Sequence, residues 1–275
     1  MIRSVLLLHR AALIVWAVFV MGSMAYLVWL TEVTAADVQA TLDACRDTPS
    51  GYCGLWASRD YNGPMGWIST LMYYGFWAVA AWSAGALIGR ELESGTARLA
   101  WTQDVTPLRW LAAKLVVPAL VLIAGGALFV PVFRWAWSAH RGLMGDDWGF
   151  ADVFAARGPL VVAYALCALA VGALTALVVR RSLPATALAV ALMIVLNRYV
   201  EKYRDEYWPT VTGTARNGDW ATGYGTYHPS SHFWPLHLVE TGIVLAVAAL
   251  ATLAAFLLLR HRTRPARTPR QESPA

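Results

Sequence analysis

The sequence predicts an all-α, polytopic membrane protein with six transmembrane helices, and three observations predict it. Hydrophobic residues make up 58% of the 275-residue chain and charged residues only 14%, where a soluble domain carries about 25% charge. The charges collect between six apolar runs of roughly spanning length, about 20 residues. Each run can close its own backbone hydrogen bonds as a helix, which a hydrocarbon core demands.

The runs are taken in order. The first covers residues 11–30. Arg3 and Arg10 flank it and no small-residue cleavage site follows a short apolar core, so it reads as an uncleaved helix. The second, third and fourth cover residues 66–88, 115–133 and 159–179. The fifth covers residues 183–200, although its continuous apolar part stops at Leu196. That part rises about 21 Å, short of a core of about 30 Å, so a re-entrant segment is the alternative. Tyr199 and Val200 carry the helical spacing onward, and Ser182 before Leu183-Pro184 supplies a helix start. The sixth covers residues 236–259. The membrane domain is thus expected over residues 1–262, followed by a basic, disordered, cytoplasmic tail over residues 263–275.

Charge asymmetry sets the expected orientation. With both termini cytoplasmic, the inner side collects Arg3, Arg10, Arg90, Arg98, Arg109, Lys114, Arg180, Arg181, Arg260, Arg262 and the tail residues Arg264, Arg267 and Arg270. The only inner acids are then Glu91, Glu93, Asp104 and Glu272. This is the asymmetry of the positive-inside rule. Trp29, Trp67, Trp135, Trp137 and Trp234 fall near the outer ends of the runs, and Trp101 and Trp110 near the inner surface. Amphipathic rings favour that depth, with packing between helices as the alternative.

Several function classes are excluded or disfavoured. The chain has no G-x-x-x-x-G-K-[ST] phosphate loop and so does not hydrolyse nucleotide by that route. No Ser/His/Asp or Cys/His arrangement stands out, and the chain is not expected to be an enzyme. No long basic run occurs outside the tail, which argues against nucleic acid. The runs hold almost no ionisable residues, unlike ion-coupled carriers. Glu240 is the exception, and reads either as an interfacial carboxylate near a helix start or as a group on a substrate path. His228, His232, His237 and Glu240 could make a metal site, but residues 232–235 are expected to interrupt the helix and keep the four apart, so no metal is expected. On the outer side, Cys45 and Cys53 share a loop and suit a disulfide, with two free thiols as the alternative. Thr34-Ala-Ala-Asp37 in the same loop is close to a capping box and predicts a short outer helix. Cys167 lies inside the fourth run as a core residue. Residues 197–235, rich in Gly, Tyr and Trp, are expected to fold back onto the outer leaflet.

The densest cluster of distinctive residues lies between the second and third runs. Arg90-Glu91-Leu92-Glu93 carries the second span into water, and Gly95 permits a turn that other residues resist. Thr96 can cap a short segment over residues 97–101, and Thr106-Pro107 opens the next helix. The prediction is a short helix along the inner surface, clamped at both ends by spans; the alternative is a solvated connector.

The pattern R-E-x-E-x-G-T-x-R-L from Arg90 to Leu99, followed by Trp101-Thr102-Gln103 and Arg109-Trp110-Leu111 with Lys114, resembles the cytoplasmic loop of type-2 ABC-transporter permeases. The resemblance is strongest to six-span subunits of high-GC Gram-positive bacteria. Residues 227–242 are similar to the segment leading into the last span of that group, and Leu8-His9-Arg10 to its start. Asp104 and Pro107 depart from the pattern. The resemblance implies the permease subunit of an ATP-driven exporter in a bacterial cell membrane. It implies pairing with itself or a sister permease and with two copies of an ABC ATPase. ATP and magnesium would sit on that ATPase, so the chain itself needs no cofactor. The short helix would be the coupling helix, with Arg90, Glu91, Glu93, Gly95, Thr96 and Arg98 at the ATPase contact. A substrate path between two copies would be lined by the second and fifth spans, with Tyr73, Tyr74, Trp77 and Glu240 as its residues. The competing readings are a secondary carrier or channel working without an ATPase, and a non-transporting sensor or immunity subunit.

Overall fold

A computed structural model describes residues 10–45, 52–103, 105–144, 148–216 and 218–263. Arg3, Leu8, His9, Asp104 and the tail from Arg264 onward lie outside them, as do the side chains of residues 11, 12 and 52–56. The described chain is built from α1 (Arg10–Trp29), α2 (Ala35–Cys45), α3 (Tyr52–Glu93), α4 (Thr96–Thr102), α5 (Pro107–Ala139), α6 (Ala151–Ala156), α7 (Leu160–Val179), α8 (Ser182–Lys202) and α9 (Phe233–Thr263). Six helices are long and apolar enough to cross a membrane: α1 running into α2, then α3, α5, α7, α8 and α9. At 21 residues, α8 rises about 31 Å. Its spanning length comes from the last turns, where Tyr199 lies exposed and Val200 buried.

α7 is the central helix, the most buried of the six, and α3, α8 and α9 pack around it. Its composition explains the position. Ala165, Ala168, Gly172, Ala173 and Ala176 are small and buried, and small residues let helix backbones approach closely in lipid. A Cβ at Gly172 would stand 2.8 Å from the Ala81 carbonyl oxygen of α3. By contrast, α1 is the least buried span.

Three local expectations change. Thr34 does not cap α2. The helix passes from α1 into α2 through a π-helical turn, Leu30–Thr34, so there is no break to cap, and the Thr34 hydroxyl has no hydrogen-bond partner among the described residues. Pro235 does not interrupt α9, which begins at Phe233 and takes Pro235 into its first turn, where the missing N–H costs no intrahelical bond. Trp137 and Trp110 are buried and follow the alternative of packing within the chain, whereas Trp29, Trp67, Trp135 and Trp234 are exposed. Trp137 is covered by the Arg141 and Arg157 guanidinium groups, each 3.7 Å from its ring. Burial, with Arg141 and Arg134 nearby, lowers Arg157 to about 10, which leaves it charged at neutral pH.

At the end of the bundle opposite α4, residues 204–216 and 218–232 form a cap. Three short strands, β1 (Val211–Thr212), β2 (Trp220–Gly223) and β3 (Thr226–His228), make an antiparallel sheet in the order β1-β3-β2. Trp148 seats the cap by packing against Trp220, Phe154 and Phe233 and donating from Nε1 to the Gly218 carbonyl at 3.0 Å.

Candidate functional site

The segment between α3 and α5 folds as local chemistry dictates. Gly95 takes a left-handed conformation (φ 77°) that breaks α3 from α4. Gly95 occupies the N-cap position of α4, so Thr96 is its first helical residue and not its cap. The Thr96 hydroxyl turns back to the Glu91 carbonyl at 3.4 Å and meets Ser94 Oγ at 2.9 Å. Thr106 caps α5 as expected, its Oγ1 accepting from the Arg109 N–H at 3.4 Å with Pro107 following.

Two acids at the end of α3, Glu91 and Glu93, anchor the segment to other helices. Glu91 receives Lys114 Nζ at 2.5 Å on one carboxylate oxygen and Trp110 Nε1 at 2.8 Å on the other, so it binds two successive turns of α5. Glu93 Oε2 accepts from the backbone N–H of Ser182 at 3.0 Å and from its Oγ at 3.1 Å. The expected Ser182 cap is therefore replaced: Arg181 holds the N-cap position without a side-chain bond, and a carboxylate from α3 satisfies the first turn of α8. Negative charge there also complements the helix dipole. Of the six sequence-expected coupling residues, Glu91 and Glu93 lie in these internal contacts, while Arg90, Gly95, Thr96 and Arg98 are exposed. Arg98, Arg180 and Arg262 gather around a small recess beside α4, giving that end of the molecule a basic rim.

A second polar cluster lies at the other end and was only half visible in the sequence. Glu240, fully buried in α9, accepts from Arg204 Nε at 2.6 Å, from Arg204 Nη2 at 3.0 Å and from Tyr164 Oη at 3.0 Å. It is not an interfacial carboxylate. Arg204, in the turn after α8, is 2% exposed and lies over the Phe154 ring. Burial works against its charge, but Glu240 outweighs that and raises the Arg204 pKa. Beside the pair, Asn197 Nδ2 donates to Tyr73 Oη, and the Tyr73 ring meets Tyr164 edge-on at 5.5 Å. Arg204 was missed because it stands 36 residues from Glu240 and is one of six charged residues over 198–206; the available signal was a lone glutamate just inside the last span that needed a cation from the loop before it.

The expected path residues do not share one exposed face, although the Tyr74 ring meets Tyr73 at 4.9 Å and Trp77 at 5.9 Å. Tyr73 and Trp77 are buried within the chain, and Glu240 is held by Arg204. Tyr74 is 37% exposed and follows Trp67 and Leu71 along an outward stripe of α3. Nor do the histidines and Glu240 converge. His228 and His232 face each other with their Nδ1 atoms 3.2 Å apart, whereas His237 Nε2 accepts from the Leu160 N–H at 3.1 Å. Cys45 is disulfide-bonded; the side chain of Cys53, its expected partner, lies outside the described residues. Cys167 is free and buried.

Comparison with known proteins finds a match between residues 16–204 and the family described as ABC-2 membrane transporter related. No curated protein and no solved structure matches the chain.

Proposed function

Since the chain belongs to the ABC-2 membrane transporter related family, and is thereby a transporter membrane subunit of a kind that generally pairs with an ABC ATPase, we propose that it is the permease of an ATP-driven exporter and that α4 is its coupling helix. The observation that carries this reading is the anchoring of α4. Its entry is tied to α5 through Glu91 and to α8 through Glu93, so a displacement of α4 reaches three spans. The exposed face of Arg98 meets the ATPase, Gly95 allows close approach, Arg90 and Thr96 flank the contact on its membrane side, and Glu91 and Glu93 hold the helix in register. Charge balance puts α4, both termini and the basic rim on the cytoplasmic side of the cell membrane. ATP and magnesium belong to the partner, whose closure moves two copies of α4 together and opens a path between two permeases. The outward stripe with Tyr74 faces that path.

Co-purification with a candidate ATPase tests the contact. Arg98→Glu is expected to abolish retention while leaving the permease folded, and unchanged retention removes α4 from the contact. Labelling of a Thr96→Cys variant by an impermeant reagent added outside intact cells would overturn the orientation.

One observation favours a second reading. Buried ionisable groups near spans are a default sign of an ion or substrate path, and Arg204–Glu240 is such a pair. A carrier built on it would show flux in proteoliposomes without any ATPase, lost in Glu240→Gln.

A further inference from the structure

A cavity of about 830 Å³ opens between α1, α3 and α5 at the end of the bundle that carries α4. It is separate from the α3 stripe that bears Tyr74. Its walls are apolar: Trp16 of α1, Trp82 and Leu87 of α3, and Val121 of α5. Gly125 shapes the α5 wall, since a Cβ there would lie 3.1 Å from the Trp16 indole nitrogen. Its mouth is polar, with Arg90, Ser94 and Thr96 at the rim. An apolar cleft of a few hundred cubic ångströms with a few convergent polar groups is the usual form of a ligand site.

The charges at the mouth decide what ligand fits. Glu91 and Lys114 neutralise each other at 2.5 Å. Glu93 also lines the cleft, but its carboxylate faces the first turn of α8 and accepts from Ser182. The Arg90 guanidinium has no hydrogen-bond or ion-pair partner among the described residues. An arginine without a partner among the described residues, beside two exposed hydroxyls that would exchange their mutual 2.9 Å contact for a ligand, suits a phosphate, which accepts several charge-assisted hydrogen bonds at once. Arg90 stands two residues beyond the apolar run that ends at Ile88, at the depth of lipid head groups.

We propose that this cleft binds one anionic phospholipid of the leaflet on the α4 side. Its phosphate is held by Arg90 with the Ser94 and Thr96 hydroxyls, and one acyl chain lies between Trp16, Trp82 and Val121. Such a lipid touches the first residue of α4, so its occupancy steadies the segment that Glu91 and Glu93 anchor. The site needs the membrane-spanning fold but not the ATPase, so it is tested on the purified permease alone.

The full chain in detergent is titrated with phosphatidylglycerol or with phosphatidylcholine of the same chains, and retained lipid is counted by native mass spectrometry. One phosphatidylglycerol per chain is expected, with phosphatidylcholine clearly weaker. Arg90→Gln is expected to weaken retention about fivefold, as for a partly exposed charge-assisted contact. Ala86→Trp, which fills the cleft from α3, is expected to abolish it. Equal retention of the two lipids, or displacement of the lipid by millimolar inorganic phosphate alone, overturns the proposal. Should Ala86→Trp fail to fold, phosphatidylglycerol with a photoreactive acyl chain decides on the wild-type protein: cross-links must fall on α1, α3 and α5 near Trp16, Trp82 and Val121, and cross-links elsewhere overturn the site.

Discussion

Glu240→Ala tests whether the Arg204–Glu240 pair locks the end of the bundle away from α4. The substitution leaves the Arg204 guanidinium, now 2% exposed, without its only ion-pair partner among the described residues, and takes the acceptor from Tyr164. Removing one member of a buried pair costs about 3–5 kcal/mol, because the other charge stays buried and unpaired. For a chain of this size each kcal/mol moves the unfolding midpoint by about 2–4 °C, so a drop on the order of 10 °C is expected. Arg204→Met should cost a similar amount. The double variant Glu240→Ala with Arg204→Met should be milder than the sum, since it leaves neither charge buried without its partner. The cycle therefore yields a coupling of at least about 2 kcal/mol. Thermal unfolding in detergent, followed by tryptophan fluorescence, reads all four forms. Single variants within about 0.5 kcal/mol of wild type, the range of ordinary surface substitutions, or a double variant equal to the sum of the singles, would refute the reasoning.

Three further outcomes are expected. Gly95→Val meets no atom within 4 Å, so its cost is backbone strain at φ 77°, about 1–2 kcal/mol; limited proteolysis should cut at α4 while the global midpoint moves by only a few degrees. Gly172→Leu would drive a side chain into the Ala81 carbonyl and part α3 from α7, costing at least the 1–3 kcal/mol typical of overpacking and showing as loss of monodisperse protein on size exclusion. The cap should loosen in acid. Burial lowers the His228 pKa below 6.5, with the neighbouring His232 adding to the effect and the Asp205 carbonyl opposing it. The folded cap thus prefers neutral His228, so its contribution is present above the unfolded pKa and is lost as pH falls through the lowered folded value. Protection against hydrogen exchange over residues 211–216 and 218–228, corrected for the intrinsic pH dependence of exchange, should fall from pH 7 to pH 5 in the wild type, and His228→Gln should flatten that dependence.

The six spanning helices were legible because hydrocarbon imposes length and composition on each run independently. The α5 start was legible because Thr106 and Pro107 act locally. The failure at Thr34 is local, whereas those at Ser182 and Glu240 share one cause, which is that a distant residue supplied what a local one was expected to supply. Thr34 looked like a cap, but the chain before it never leaves the helix. Ser182 looked like a cap, but Glu93, 89 residues earlier, does that work from another helix. Glu240 looked interfacial because nothing near it in sequence could neutralise it, and Arg204 comes to it only through the turn after α8. Motif spacing carries no information about such pairings, whereas charge counting did mark Glu240 as anomalous.

These distant contacts have a mechanical consequence for the proposed coupling. α8 is gripped by polar contacts at both ends and bears an apolar face between them, with Leu188, Leu192 and Val195 exposed. At its start the grip is Glu93 on Ser182, and at its end Asn197 on Tyr73 and Arg204 on Glu240. A helix free of strong contacts along an exposed face but fixed at its tips responds to a push at one tip by tilting as a rod about the other. The tip near α4 is the weaker grip, a hydrogen-bonded contact at an exposed carboxylate, and the far tip is a buried ion pair. Tilting about the far end follows, with the largest excursion on the α4 side. Breaking the near grip with Glu93→Ala should therefore leave thermal stability close to wild type and ATPase binding intact, yet reduce ATP-linked transport. Breaking the far grip should lower stability first. The reverse pattern would place the pivot at the α4 end and reject the tilting account.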